Sequence, residues 1–147
     1  LRNDSWTFES IRATHGIPLS APTPRKYAYE VLLRTEGLIQ VGWTARDSLF
    51  DPEGGTGVGD DDLSYGYDGF RAKKWHGRWS DECAYGLVWT VGDVVTTTID
   101  LDERTIHYYL NGKDMGIAFE NVDGQLVWFP VRFDYLVDRD WRCVCGI

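Results

Sequence analysis

Six consecutive residues, Gly54-Gly55-Thr56-Gly57-Val58-Gly59, have the composition of a loop that offers backbone N–H groups to a phosphate. Their context opposes that chemistry, because no Lys-Ser or Lys-Thr pair follows and no strand-to-helix unit surrounds them. Asp51, Glu53, Asp60, Asp61 and Asp62 flank the run and could in principle wrap calcium, which takes about six to eight oxygens. Their spacing is not that of an EF-hand, and like charges this close normally face water. His15, His76 and His107 are scattered among turns and strands, and no GxSxG nucleophile elbow is present. Three cysteines, Cys83, Cys143 and Cys145, fall short of the four ligands of a structural zinc site. These residues imply no catalytic group, no metal and no cofactor.

The elements that hold these residues are short and aromatic. The chain has 147 residues, 43% of them hydrophobic, with seven Trp, eight Tyr and six Phe spread along its length. That suits one domain over 1–147, expected to be a monomeric module excised from a larger protein. A formal charge of −8 and a pI near 4.7 argue against a nucleic-acid surface. Arg71, Lys73, Lys74, His76 and Arg78 form one local basic patch. An odd number of cysteines suits a reducing compartment, so the expectation is an intracellular, cytoplasmic protein. With no long apolar run, no direct membrane insertion is expected.

Alternation of apolar and polar residues predicts strands rather than helices. Tyr27, Tyr29, Val31 and Leu33 share one face, and 38–43 forms the next strand after a turn at Gly37. The stretch 45–62 lacks a sustained period and reads as a long loop with Phe50 and Val58 as its apolar anchors. Strands are also expected at 65–70, 71–75, 93–100 and 126–133, the last with Pro130 at an edge or bulge. In the hairpin 105–119, Ile106, Tyr108 and Leu110 face one side and Asn111-Gly112 supplies a type I′ turn. Further short strands are predicted over 6–14 and 141–144. The fold class is therefore all-β, two packed antiparallel sheets.

The segments FESIR (8–12), YAYEVLL (27–33), QVGW (40–43), GVGDDDLSYGYDGFRAKKWHG (57–77), GDVVTTTIDLDERTIHYYLNGKDMGIAF (92–119) and VWFPV (127–131) together resemble a SPRY domain. The likeness is greatest to SPRY domains of large RING-type ubiquitin ligases, with those of ryanodine receptors next. It implies a bent, concanavalin-like antiparallel β-sandwich that binds proteins through loops at one side. Carried onto this chain, the partner-binding residues are Arg12, Thr14 and His15; Gly54, Gly57, Val58 and Asp60; and Tyr135 with Leu136. The long loop departs from the best-known peptide binders in being acidic and in having glycine near position 54 instead of tyrosine. The sequence after Val131 also departs from the family pattern.

The resulting expectation is a non-catalytic module that binds a protein or peptide, as the substrate-recognising part of a ubiquitin ligase. Two alternatives differ in class. A structural domain docked within a large assembly or receptor channel predicts a broad contact surface, and a lectin-like glycan binder predicts exposed aromatic and amide groups around a shallow site.

Overall fold

A computed structural model of the chain describes residues 9–51, 54–77 and 83–134. They form nine strands: β1 Glu9–Arg12, β2 Lys26–Leu32, β3 Ile39–Ala45, β4 Ser64–Asp68, β5 Lys73–Trp75, β6 Val94–Asp100, β7 Thr105–Leu110, β8 Lys113–Glu120 and β9 Trp128–Asp134. One sheet has the order β1-β9-β3-β4-β5 and the other β2-β6-β7-β8, with every pair antiparallel. The all-β bent sandwich is thus the observed fold. The strand expected at 141–144 and the start of the one at 6–14 lie outside the described residues.

The core lies between the sheets and follows the alternation. Tyr29, Val31, Val95, Ile99, Ile106, Tyr108 and Leu110 from one sheet meet Ile39, Val41, Trp43, Tyr65, Tyr67 and Trp128 from the other. Polar atoms carried inward by these aromatics find partners across the interface. Tyr108 Oη donates to the Val41 carbonyl at 3.0 Å, Trp43 Nε1–H donates to Thr97 Oγ1 at 3.0 Å, and Tyr29 Oη lies 2.9 Å from the Val131 carbonyl. A buried hydroxyl without a partner would be costly, so each bond fixes how the two sheets sit on one another.

The β7–β8 turn has the conformation its sequence demands, with φ of 51° at Asn111 and 77° at Gly112. Asn111 also ties the hairpin to β6: its Oδ1 accepts the Val94 N–H at 2.9 Å and its Nδ2 donates to Asp93 Oδ1 at 2.8 Å. The Asn111 amide, with the Thr90 N–H behind it, holds the Asp93 carboxyl below its ordinary range. A depressed folded pKa adds stability above the unfolded value, about 3.9, and loses it as pH falls through the lower folded value. Asp93→Asn should therefore flatten the acid limb of the melting-temperature profile below about pH 4. Identical acid limbs for the two proteins would refute this contribution.

Pro130 corrects an expectation. It lies in β9, the second strand of its sheet, with β1 on one side and β3 on the other. The Pro130 carbonyl accepts the Ala13 N–H at 2.9 Å, so the edge that lacks a donor faces the chain just past the end of β1. No ladder bond to β3 is lost there, because Trp43 and Pro130 oppose each other without exchanging hydrogen bonds.

Candidate functional site

Arg12 ends β1 opposite Val131, and residues opposed in an antiparallel ladder share a face. Its guanidinium lies 5.2 Å from the centre of the Phe129 ring, and Phe129 is two residues from Val131 on the same outer face. Nη1 donates to the carbonyls of Arg46 at 2.6 Å and Ala45 at 3.3 Å. Arg12 therefore clamps the start of the 46–63 loop while remaining exposed.

That loop does not stand away from the domain. It folds back over the outer face of the five-stranded sheet, where Val58 packs on Val131 with Leu38 and Phe50 beside them. Both anchors expected from sequence, Phe50 and Val58, hold it. Gly66 makes the close approach possible, since a Cβ there would stand 2.6 Å from the Val58 carbonyl oxygen. The covering loop also explains why β3 and β4 are buried at every position rather than at alternate ones.

The acids of the loop serve as internal acceptors. Gly57 N–H donates to Asp60 Oδ2 at 2.6 Å, and Gly54 N–H to Asp51 Oδ1 at 2.9 Å. Asp61 accepts from Ser48 Oγ at 2.8 Å, Ser64 Oγ at 2.6 Å and the Leu63 N–H at 3.1 Å. The N–H groups of Gly54 and Gly57 are thus engaged within the loop, and Asp61 ties its start at Ser48 to its end at Leu63 and Ser64. Among the described residues no group of three or more His, Cys, Asp or Glu is placed to hold a metal ion.

On the other side of β9 the chain after β1 opens a small apolar cavity. Ala13 N–H bonds to the Pro130 carbonyl and Ile17 N–H to the Trp128 carbonyl at 2.8 Å, so 13–17 follows β9 and then peels away. Beneath it lies a cavity of about 190 Å³ bounded by His15, Ile17, Pro18, Tyr27, Trp43 and Pro130. Thr14 and His15 are exposed at its mouth, with Thr14 Oγ1 2.9 Å from His15 Nδ1. Phe129 under Arg12 and Pro130 in the cavity are consecutive, hence on opposite faces of the strand.

The structure thus joins Arg12 to Val58 through Val131, and Thr14 to His15, while β9 separates the two groups, which lie toward its opposite faces. Tyr135 and Leu136 lie outside the described residues. Tyr27, Trp43 and Pro130, the cavity walls, were not singled out as site residues from sequence; they are far apart in the chain and only the sheet pairing assembles them.

The expected basic patch is divided between the two faces of its strand. Arg71 pairs with Asp68 at 2.5 Å and stacks on Trp75, whereas Lys74 turns to the opposite face and bonds the Ala118 carbonyl. Inside the core Tyr67 Oη donates to the Leu87 carbonyl, and burial pushes its pKa up to about 12 despite that bond. The tyrosine therefore stays a neutral structural donor.

A rigid sandwich with a clamped loop and an apolar hollow is a binding frame. The SPRY domain family model matches residues 26–133, and the chain belongs to that family. The chain is 40% identical over 97 residues to the E3 ubiquitin-protein ligase RKP of Arabidopsis thaliana, covering 66% of this chain and 7% of that protein. It is 32% identical over 113 residues to the ATP-dependent RNA helicase DDX1 of Xenopus laevis, covering 77% of this chain and 13% of the relative. The chain therefore spans only a small part of either relative. As a SPRY domain it is a non-catalytic module with a general role in protein–protein interaction.

Proposed function

We propose that the domain recognises a peptide or protein segment alongside the first half of β9, with Arg12, Thr14 and His15 beside it, Gly54 and Asp60 along the outer face, and the buried Gly57 and Val58 holding the loop that carries them. The observation that carries this reading is the apolar cavity opening at His15, across β9 from a guanidinium held in place by the Ala45 and Arg46 carbonyls. The hollow has the size of a single side chain, and a side chain seated in a desolvated apolar pocket is a usual anchor of a protein interface. Tyr135 and Leu136, which follow β9 in sequence, enter the proposal through the family resemblance alone.

In this proposal the parent is a cytoplasmic E3 ubiquitin ligase and the bound segment belongs to its substrate. The similarity to RKP supports the ligase context, and the odd cysteine count supports the compartment. The resemblance to DDX1 shows that related modules also occur beside a different activity, so the recognition role and the ligase attachment require separate tests.

Random peptides displayed against the 147-residue domain test the recognition role. Selected binders should lose about tenfold or more in affinity on His15→Ala and on Arg12→Ala. Arg12→Lys should recover part of the loss, because a lysine keeps the charge but not the geometry of the guanidinium. Affinities unaffected by all three changes would place recognition elsewhere. Crosslinking mass spectrometry of the full-length parent in cells tests the ligase context, which fails if no ubiquitination machinery belongs to the parent or its complexes.

A further inference from the structure

The opposite end of the sandwich carries a second groove. Its walls are the β2–β3 turn at Leu33, Thr35, Glu36 and Gly37, the turn after β4 at Phe70, and the extended segment 88–91. The volume is about 220 Å³, slightly larger than the cavity at His15. Ala28 of β2 borders one hollow and Leu33, just past the end of β2, the other, five residues apart, or roughly 17 Å at about 3.3 Å per residue.

Large apolar side chains are unusually exposed here. Phe70 and Val88 are each 62% exposed, Val91 48% and Leu87 40%. Scattered exposed hydrophobics need no explanation, but several converging on one concave site mark an interaction surface.

The groove is also braced from below. Trp89 N–H donates to the Gly69 carbonyl at 3.2 Å, and the Trp89 ring packs so close to Gly69 that a Cβ there would stand 2.0 Å from it. Tyr67 meets the same ring edge-on at 5.0 Å. Asp68 Oδ1 accepts the N–H groups of Phe70 at 2.9 Å and Arg71 at 3.1 Å, fixing the turn that displays Phe70. These contacts fix the chain on either side of the groove while Phe70 and Val88 stay exposed.

Charge selects the occupant. Glu36 lines the groove, is exposed, and has no ion-pair or hydrogen-bond partner among the described residues. Asp93 does not line the groove, and its carboxylate accepts from Thr90 N–H at 2.7 Å and from Asn111 Nδ2 at 2.8 Å, so it adds only negative charge behind Thr90. Arg34, the cation of the turn, is already engaged. We infer that this groove docks a protein segment presenting an aliphatic or aromatic side chain flanked by lysine or arginine, independently of the site at Arg12 and His15. The apolar anchor fills the space between Phe70 and Val88, and the basic neighbour meets Glu36.

Synthetic peptides with a Leu-Phe-Leu centre, flanked by Lys in one and Glu in the other, test this on the 147-residue chain. Methyl resonances of Val88 and Val91 should shift with the Lys-flanked peptide and stay in place with the Glu-flanked one. Val88→Asp should weaken binding about tenfold or more, and Glu36→Lys should slow association and reverse its salt dependence. Both positions are exposed, so folding is preserved, and Arg12→Ala should leave this binding unchanged. Equal binding of the two peptides, binding indifferent to Val88→Asp, or no methyl shifts would overturn the inference. Concentration-dependent dimerisation abolished by Val88→Asp would also overturn it, in favour of a second copy as occupant.

Discussion

Trp43→Ala should lower the unfolding free energy by about 3–5 kcal/mol, the range for removing a buried large aromatic side chain. The ring is 1% exposed, stands edge-on to Tyr29 at 5.1 Å, and joins the sheets through its bond to Thr97. It also forms one wall of the cavity at His15, so its removal runs that cavity into the core. A domain of this size is stable by only about 5–15 kcal/mol, so the loss is a large share of the total. Trp43→Phe should cost less because it keeps an aromatic body and loses the hydrogen bond, worth about 1 kcal/mol. Urea denaturation reads both, and equal midpoints for Trp43→Ala and the parent would refute the role of this residue.

Gly66→Ala should produce the second large effect by a different route. The added methyl meets the Val58 carbonyl oxygen at 2.6 Å, an atom of the loop backbone that cannot rotate aside. Either the loop lifts from the sheet or β4 shifts, and overpacking of this kind costs about 1–3 kcal/mol. Lifting the loop should expose 54–59 to protease and speed amide exchange at Gly57 and Gly59, whose N–H groups are bonded in the parent. Leu49→Ala, an exposed change in the same loop, should alter neither stability nor exchange. A Gly66→Ala protein with the parent's exchange pattern would mean that the close approach is not needed.

The sequence discloses the frame where one local rule governs each position. Ile106, Tyr108 and Leu110 turn inward because side chains alternate, and Asn111-Gly112 turns because both residues tolerate positive φ. Phe50 and Val58 were legible as loop anchors because they are apolar residues within a polar stretch. Where they attach was not legible, since the trough that receives the loop requires β4 to present Gly66 beside β3 and Val131 of β9. The expectation for Pro130 failed for a related reason: its sequence reveals a missing donor but not the short neighbour, β1, that makes the omission harmless. The second groove was hidden because Phe70, Val88 and Glu36 belong to three separate stretches of chain, each unremarkable by itself.

Holding 46–51 and 54–63 on the sheet separates two properties that a free loop would confound. Ordering free backbone costs roughly 1–2 kcal/mol per residue, and here that loss accompanies folding rather than association. A partner reaching this face would meet backbone already in position, so its affinity would respond to the side chains turned outward instead of to loop length. Leu49, 83% exposed, is one such side chain, whereas Phe50 and Val58 beside and beyond it anchor the segment. Substitution at outward positions can therefore change what is bound without touching the residues that keep the domain folded, leaving specificity free to diverge on a constant frame.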